Sequence, residues 1–229
     1  MAIPGELVIT EDVPVAFADR IVEAFRARSQ DPFSFALSGG ATARDCYAEL
    51  ALRAGASIDW WKVDFYWGDE RCVPHDHPDS NYFLAREALL DRVGVANATH
   101  LMRCAEGPDP YQLRLGDLGR IDVVHLGMGP DGHTASLFPG SAALDADPGR
   151  LVAMNRDTSD ANPYERMTLT FAGIARARLA IVTVVGSAKA GALAAIAAGA
   201  DLPAAHIEAD EVVWLVDPAA AAQLPPATA

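Results

Sequence analysis

Six short apolar runs constrain this chain more than any other feature: Leu7-Val8-Ile9, Phe33 to Leu37, Val63 to Trp67, Ile121 to Leu126, Leu179 to Val185 and Val212 to Val216. They are rich in β-branched and aromatic residues and so read as strands. Helical patterns lie between them, over Val13 to Arg28, Ala41 to Arg53, Asn81 to Val93 and the Ala-rich stretch Ser187 to Ala198. Strands that are apolar almost throughout are buried on both faces, and their alternation with helices predicts an α/β fold. Right-handed crossovers then give a doubly wound, mostly parallel sheet with helices on both faces, a modified Rossmann-like arrangement.

At 229 residues and 51% hydrophobic content the chain can bury one sizeable core but not several. Residues 1–229 are therefore expected to form a single α/β domain. The Pro/Asp/Gly-rich piece Pro139 to Gly149 reads as a surface loop, because the patterning resumes after it, and the tail from Pro218 to Ala229 is expected to fray.

Eighteen basic against 31 acidic side chains leave a net charge of −13, which repels nucleic acid and anionic membranes. Neither a secretory leader nor a long apolar span is evident, and the three cysteines, Cys46, Cys72 and Cys104, are odd in number and lack CxxC spacing. The expectation is a cytoplasmic chain without a disulfide framework, a monomer or small homo-oligomer with no nucleic-acid or membrane partner.

Four of the strands end in polar or glycine-rich turns: Ser38 to Thr42, Gly68 to Arg71, Gly127 to His133 and Gly186 to Lys189. In a parallel sheet these ends share one edge, so residues distant in sequence converge on one crevice. Gly39, Gly40 and Thr42 lie between a strand and a helix, where backbone N–H groups attract an anion, and the segment lacks the pattern of a nucleoside-triphosphate loop. Lys189 is one of only two lysines and follows a buried strand. Asp131 and His133 stand two apart, a carboxylate placed to fix the tautomer of an imidazole base.

Other patterns weigh less. Gly127 to Gly132 matches GxGxxG, but Pro130 and Asp131 occupy the turn and set a negative charge against any pyrophosphate. His75 and His77 have a spacing compatible with metal ligation but sit in a Pro-bounded polar loop. No nucleophile elbow or HExxH motif is present, so hydrolysis would use activated water.

Taken together, LSGGAT (37–42), DFYWGDERCVPHDHPDSNY (64–82), DVVHLGMGPDGHTASLFPGS (122–141), ERMTLT (165–170) and GSAKAGAL (186–193) resemble the 6-phosphogluconolactonases. The first block departs from the usual SGGSTP of that family at Ala41 and Ala43. The resemblance implies hydrolysis of a sugar-phosphate lactone, 6-phospho-D-glucono-1,5-lactone, to 6-phosphogluconate in the oxidative pentose phosphate pathway, with neither a metal nor a cofactor. It further implies that His133 is the general base and Asp131 its carboxylate. Gly39, Gly40, Thr42, Arg166 and Lys189 resemble the phosphate-holding set, and Asp69 and Arg71 a segment contacting sugar, phosphate or developing charge. Amino-sugar phosphate deaminases and isomerases share parts of these motifs but carry a glutamate where this chain has Phe138, and an apolar ring moves no protons. A non-catalytic sugar-phosphate sensor is the remaining alternative.

Overall fold

The structure is a computed structural model that describes residues 3–54, 57–159 and 161–225. In chain order the elements are β1 (Glu6–Ile9), α1 (Val13–Ala27), β2 (Phe33–Leu37), α2 (Ala41–Ala54), β3 (Val63–Trp67), β4 (Asp69–Arg71), α3 (Asn81–Ala85) and β5 (Ala98–Thr99). There follow α4 (Asp109–Leu118), β6 (Ile121–Gly127), β7 (Val152–Asn155), β8 (Arg166–Leu169), α5 (Phe171–Ile174), β9 (Ala177–Val184), α6 (Ala190–Ala197), β10 (Glu211–Val216) and α7 (Pro218–Ala221).

Seven strands pair in parallel in the order β1-β10-β9-β6-β2-β3-β5, the doubly wound α/β sheet that the six apolar runs predict. Strands β2 and β3 are buried along their whole length, as two-sided helix cover requires. Helix α1 shows how the cover is made: Val13, Phe17, Ile21 and Phe25, four residues apart, form its buried stripe. The Asp12 side chain caps its first turn by accepting from Val15 N–H.

From β2 the chain proceeds to β3 and β5 on one side; from β6 it proceeds to β9 and β10 on the other. The β2–β6 seam is therefore the switch point, where connections leave in opposite directions and open a crevice at the strand ends. The ladder across it runs only through Phe35–Val123 and Ala36–Val124.

Three features depart from the sequence expectations. A second, antiparallel sheet, β4-β8-β7, stands beside the main one. Its strands are three and four residues long, and β4 and β8 carry charges, so alternation does not reveal them. The tail does not fray at Pro218: Asp217 caps α7 through Ala220 N–H, and Ala220 is buried. Residues 226–229 lie outside the described residues.

Cys72 and Cys104, 32 residues apart, form a disulfide with Cα atoms 5.5 Å apart, and Cys46 alone is free, buried on α2. The chain brings the pair together through space, the one just after β4 and the other in the turn after β5, so neither count nor spacing signals it. The compartment argument built on unpaired thiols falls with it. Among the described residues no helix is long and apolar enough to cross a membrane.

Candidate active site

At the β2–β6 switch point lies a cavity of about 430 Å³. Its walls come from the loop after β2 (Gly39 and Gly40) and the first turn of α2 (Thr42), the small sheet (Asp69, Arg71 and Arg166), the loop after β6 (His133 and Phe138) and Lys189 at the start of α6. The four strand-end turns thus meet in one crevice, and the imidazole of His133 and the ammonium of Lys189 face the same space. Asp131 stands behind His133 rather than on the wall.

His133 Nδ1 is 2.6 Å from Asp131 Oδ1, and the His133 N–H also donates to that oxygen. An ionised carboxylate only accepts, so Nδ1 carries a proton, and in the neutral tautomer this selects the lone pair is on Nε2. Partial burial acts to raise the Asp131 carboxyl, but its bonds to His133 outweigh that and hold it below the usual carboxylate range. The loop that presents this pair turns at Gly132, with φ +80, and no α-helix starts there; the next helical turn is the 3-10 segment Ala142–Asp145. The GxGxxG match therefore lacks the helix N-terminus that a pyrophosphate would need.

The cationic wall is desolvated. Arg166 is 5% exposed, and its guanidinium carbon is 5.9 Å from the centre of the Phe138 ring. Among the described residues it makes no salt bridge, and its Nε has no hydrogen-bond partner. Burial pulls both Arg166 and Lys189 below their ordinary ranges, with the charges of Asp69 and Asp131 respectively opposing it. Arg71 is anchored by donating to Asp79 O at 2.6 Å. A buried guanidinium with an unpartnered Nε–H has the chemistry to receive an anion, since an unpaired buried charge is costly.

Asp69 is already engaged by the protein. Its Oδ2 accepts from Ser136 Oγ at 2.6 Å and its Oδ1 from Asn81 Nδ2 at 3.0 Å. It ties the loop after β6 to the start of α3, besides lining the cavity. Glu70 faces inward beside it, pushed up by burial and held down by the N–H groups of Tyr82, Asn81 and Arg71 and the Ser80 hydroxyl.

Sequence reasoning missed Asn81, Ser136 and Asn162. Asn162 lines the cavity from the loop between β7 and β8, its amide held by Asp157 Oδ2 at 2.7 Å. Asparagines and serines in loops carry no pattern that separates such roles from ordinary turns. His75 and His77 lie away from the cavity, His75 Nε2 near Met102 O and His77 Nδ1 accepting from Asp79 N–H. Among the described residues no group of three or more His, Cys, Asp or Glu is placed to hold a metal ion.

Fold and site together define a doubly wound α/β protein whose strand-end cavity is lined by a carboxylate-bonded imidazole and by cations. The chain belongs to the glucosamine-6-phosphate isomerase/6-phosphogluconolactonase family, which matches residues 9–214. It is 36% identical over 238 residues to the 6-phosphogluconolactonase of Synechocystis sp., covering 96% of this chain and 95% of that one. It is 38% identical over 216 residues to the 6-phosphogluconolactonase of Nostoc sp., covering 86% and 87%. Among solved structures, the 6-phosphogluconolactonase of Trypanosoma brucei superposes with a TM-score of 0.83 at 30% identity, covering 98% of this chain and all of that one.

Proposed function

We propose that the chain hydrolyses 6-phospho-D-glucono-1,5-lactone to 6-phospho-D-gluconate. The observation that carries this reading is a single cavity holding a carboxylate-oriented imidazole and unpaired cations. Relatives that bear the lactonase name match over nearly the whole chain.

His133 Nε2 takes a proton from water as that water attacks the lactone carbonyl. Asp131 stabilises the imidazolium that forms, and the same ring returns the proton to the departing ring oxygen. Arg166 and Lys189 hold the phosphate, together with the backbone of Gly39 and Gly40 and the Thr42 hydroxyl at the start of α2. Arg71 lies where it can offset charge developing on the carbonyl oxygen. This local cluster overcomes the repulsion of a dianion by a chain of net charge −13.

Phe138 favours hydrolysis over isomerisation. Its ring centre is 4.9 Å from that of His133, and it is buried, so the position beside the base carries no second proton carrier. The test is the disappearance of freshly generated 6-phosphogluconolactone above the buffer rate. Ammonia release from glucosamine 6-phosphate would support the deaminase instead, and binding without turnover a sensor.

Cytoplasmic action belongs to the same proposal, and the Cys72–Cys104 pair reports on it. Protein trapped directly from cells yields three free thiols if it works in a reducing compartment and one if it does not.

A further inference from the structure

Beneath the loop after β2 runs a line of buried polar groups that the proposed reaction does not use. Ser38 N–H donates to Tyr47 Oη at 2.6 Å, and Tyr47 Oη lies 2.9 Å from His125 Nδ1. His125 Nε2 is 3.0 Å from Thr183 Oγ1, which in turn donates to Leu126 O at 3.5 Å. Tyr47 and His125 are completely buried, and neither reaches the cavity.

The proton positions follow from the partners. Burial drives the His125 pKa down to about 3, so the ring is neutral and holds one proton. Because Thr183 spends its hydroxyl proton on Leu126 O, its oxygen accepts from Nε2–H, and Nδ1 is left to accept from Tyr47. Every link then points the same way, from Ser38 N–H through Tyr47 and His125 to Thr183 and Leu126 O.

This line stands where the β2–β6 ladder has ended at Ala36–Val124. Tyr47, on the second turn of α2, accepts from the Ser38 N–H at 2.6 Å, and Ser38 O, at 3.3 Å against 2.9 Å for His125 Nδ1, is the more distant of the two acceptors offered to its one hydroxyl proton. The next residues, Gly39 and Gly40, expose their backbone to the cavity, and Gly40 has φ +92 with open space around it. Asn81 bounds the loop at Gly39 on one side, but Gly40 is free, so the loop's entry point at Ser38 must also be fixed.

We propose that Tyr47 and His125 are positioning residues for the anion-binding loop, setting the distance of the Gly39–Gly40 backbone from the substrate phosphate. The inference rests on the function proposed above, in which that loop holds the phosphate. It acts through the loop alone, so it belongs to recognition of the phosphate and not to the chemistry at His133.

The experiment compares steady-state kinetics on 6-phosphogluconolactone and on unphosphorylated glucono-1,5-lactone. Tyr47→Phe removes only the hydroxyl. It is expected to raise KM for the phosphorylated lactone about tenfold, with kcat within about twofold and the unphosphorylated reaction unaltered. His125→Leu, which removes the acceptor, is expected to do the same. His125→Asn, whose Oδ1 can take the place of Nδ1, is expected to restore KM, a rescue that a merely space-filling role would not show. The His125 pair carries the test if Tyr47→Phe does not fold.

Equal losses on both lactones, or an unchanged KM in Tyr47→Phe and His125→Leu, overturn the proposal. Lys189→Ala serves as the reference. If it separates the two substrates and the Tyr47 and His125 variants do not, only this inference falls. If Lys189→Ala fails to separate them, the phosphate assignment falls first and takes the inference with it.

Discussion

A methyl group on Gly39 would stand 1.8 Å from Asn81 Oδ1 and 2.4 Å from its Cγ, so the backbone of the loop after β2 rests directly on the Asn81 carboxamide. Asn81 cannot swing aside, because its Nδ2 is held by the Asp69 backbone oxygen at 2.8 Å and by the Asp69 carboxylate. Two walls of the cavity are thereby locked in register. Gly39→Ala is expected to cost about 1–3 kcal/mol in chemical denaturation and most of the activity. Adding Asn81→Ala should return part of the stability, and strict additivity of the two changes would refute the contact.

His133→Ala should lower kcat about 10²–10⁴-fold while changing KM little, because the base acts only in the transition state. Asp131→Asn keeps the shape but no longer forces the Nδ1 proton, and should also lower kcat. Near-normal turnover in either variant would remove the pair from the mechanism.

Arg166 carries the phosphate argument most directly, since it is buried with spare donors. Arg166→Gln is expected to raise KM for the phosphorylated lactone far more than for glucono-1,5-lactone, with inorganic phosphate losing potency as a competitor. A uniform loss across both substrates would place Arg166 in the scaffold instead.

The loop that carries Asn162 has its own pH signature. Burial works to raise the Asp157 carboxyl, but hydrogen bonds from Asn162 and Ser159 overcome it and bring its pKa down to about 2. A carboxylate lowered by folding stabilises the fold above its unfolded value near 3.8, and that contribution fades as pH falls toward 2. Asp157→Asn should therefore flatten the stability profile between about pH 4 and pH 2. An identical profile for variant and parent would contradict it.

Reduction of Cys72–Cys104 opens a long loop, and should lower stability by at most about 3–4 kcal/mol in denaturant. Neither sulfur lines the main cavity, so kcat should survive dithiothreitol wherever the protein stays folded. A denaturation midpoint unmoved by reductant would show that the bond contributes nothing.

Six of the seven strands of the main sheet were readable because they fall in mostly apolar runs, four of them ending in glycine turns, as Phe33 to Leu37 does before Ser38-Gly39-Gly40, whereas the two residues of β5 are too few for a pattern. Its strand ends therefore pointed to His133 and Lys189 directly. The small sheet was not readable, because Asp69-Glu70-Arg71 is polar by composition and buried only through partners that the fold brings from far away. Tyr47 and His125 look like ordinary core residues within apolar elements, and only their mutual distance marks them out. Three cysteines told nothing of the bond that two of them make, since spacing says little about contacts across 32 residues.

The cavity draws the His133 imidazole from the loop after β6 of the large sheet, and Asp69, Arg71 and Arg166 from the small one. Such a division makes the small sheet a natural target for laboratory evolution. Libraries confined to it, with Arg71 kept, could reshape which phosphorylated esters enter while His133 and Asp131 are inherited intact.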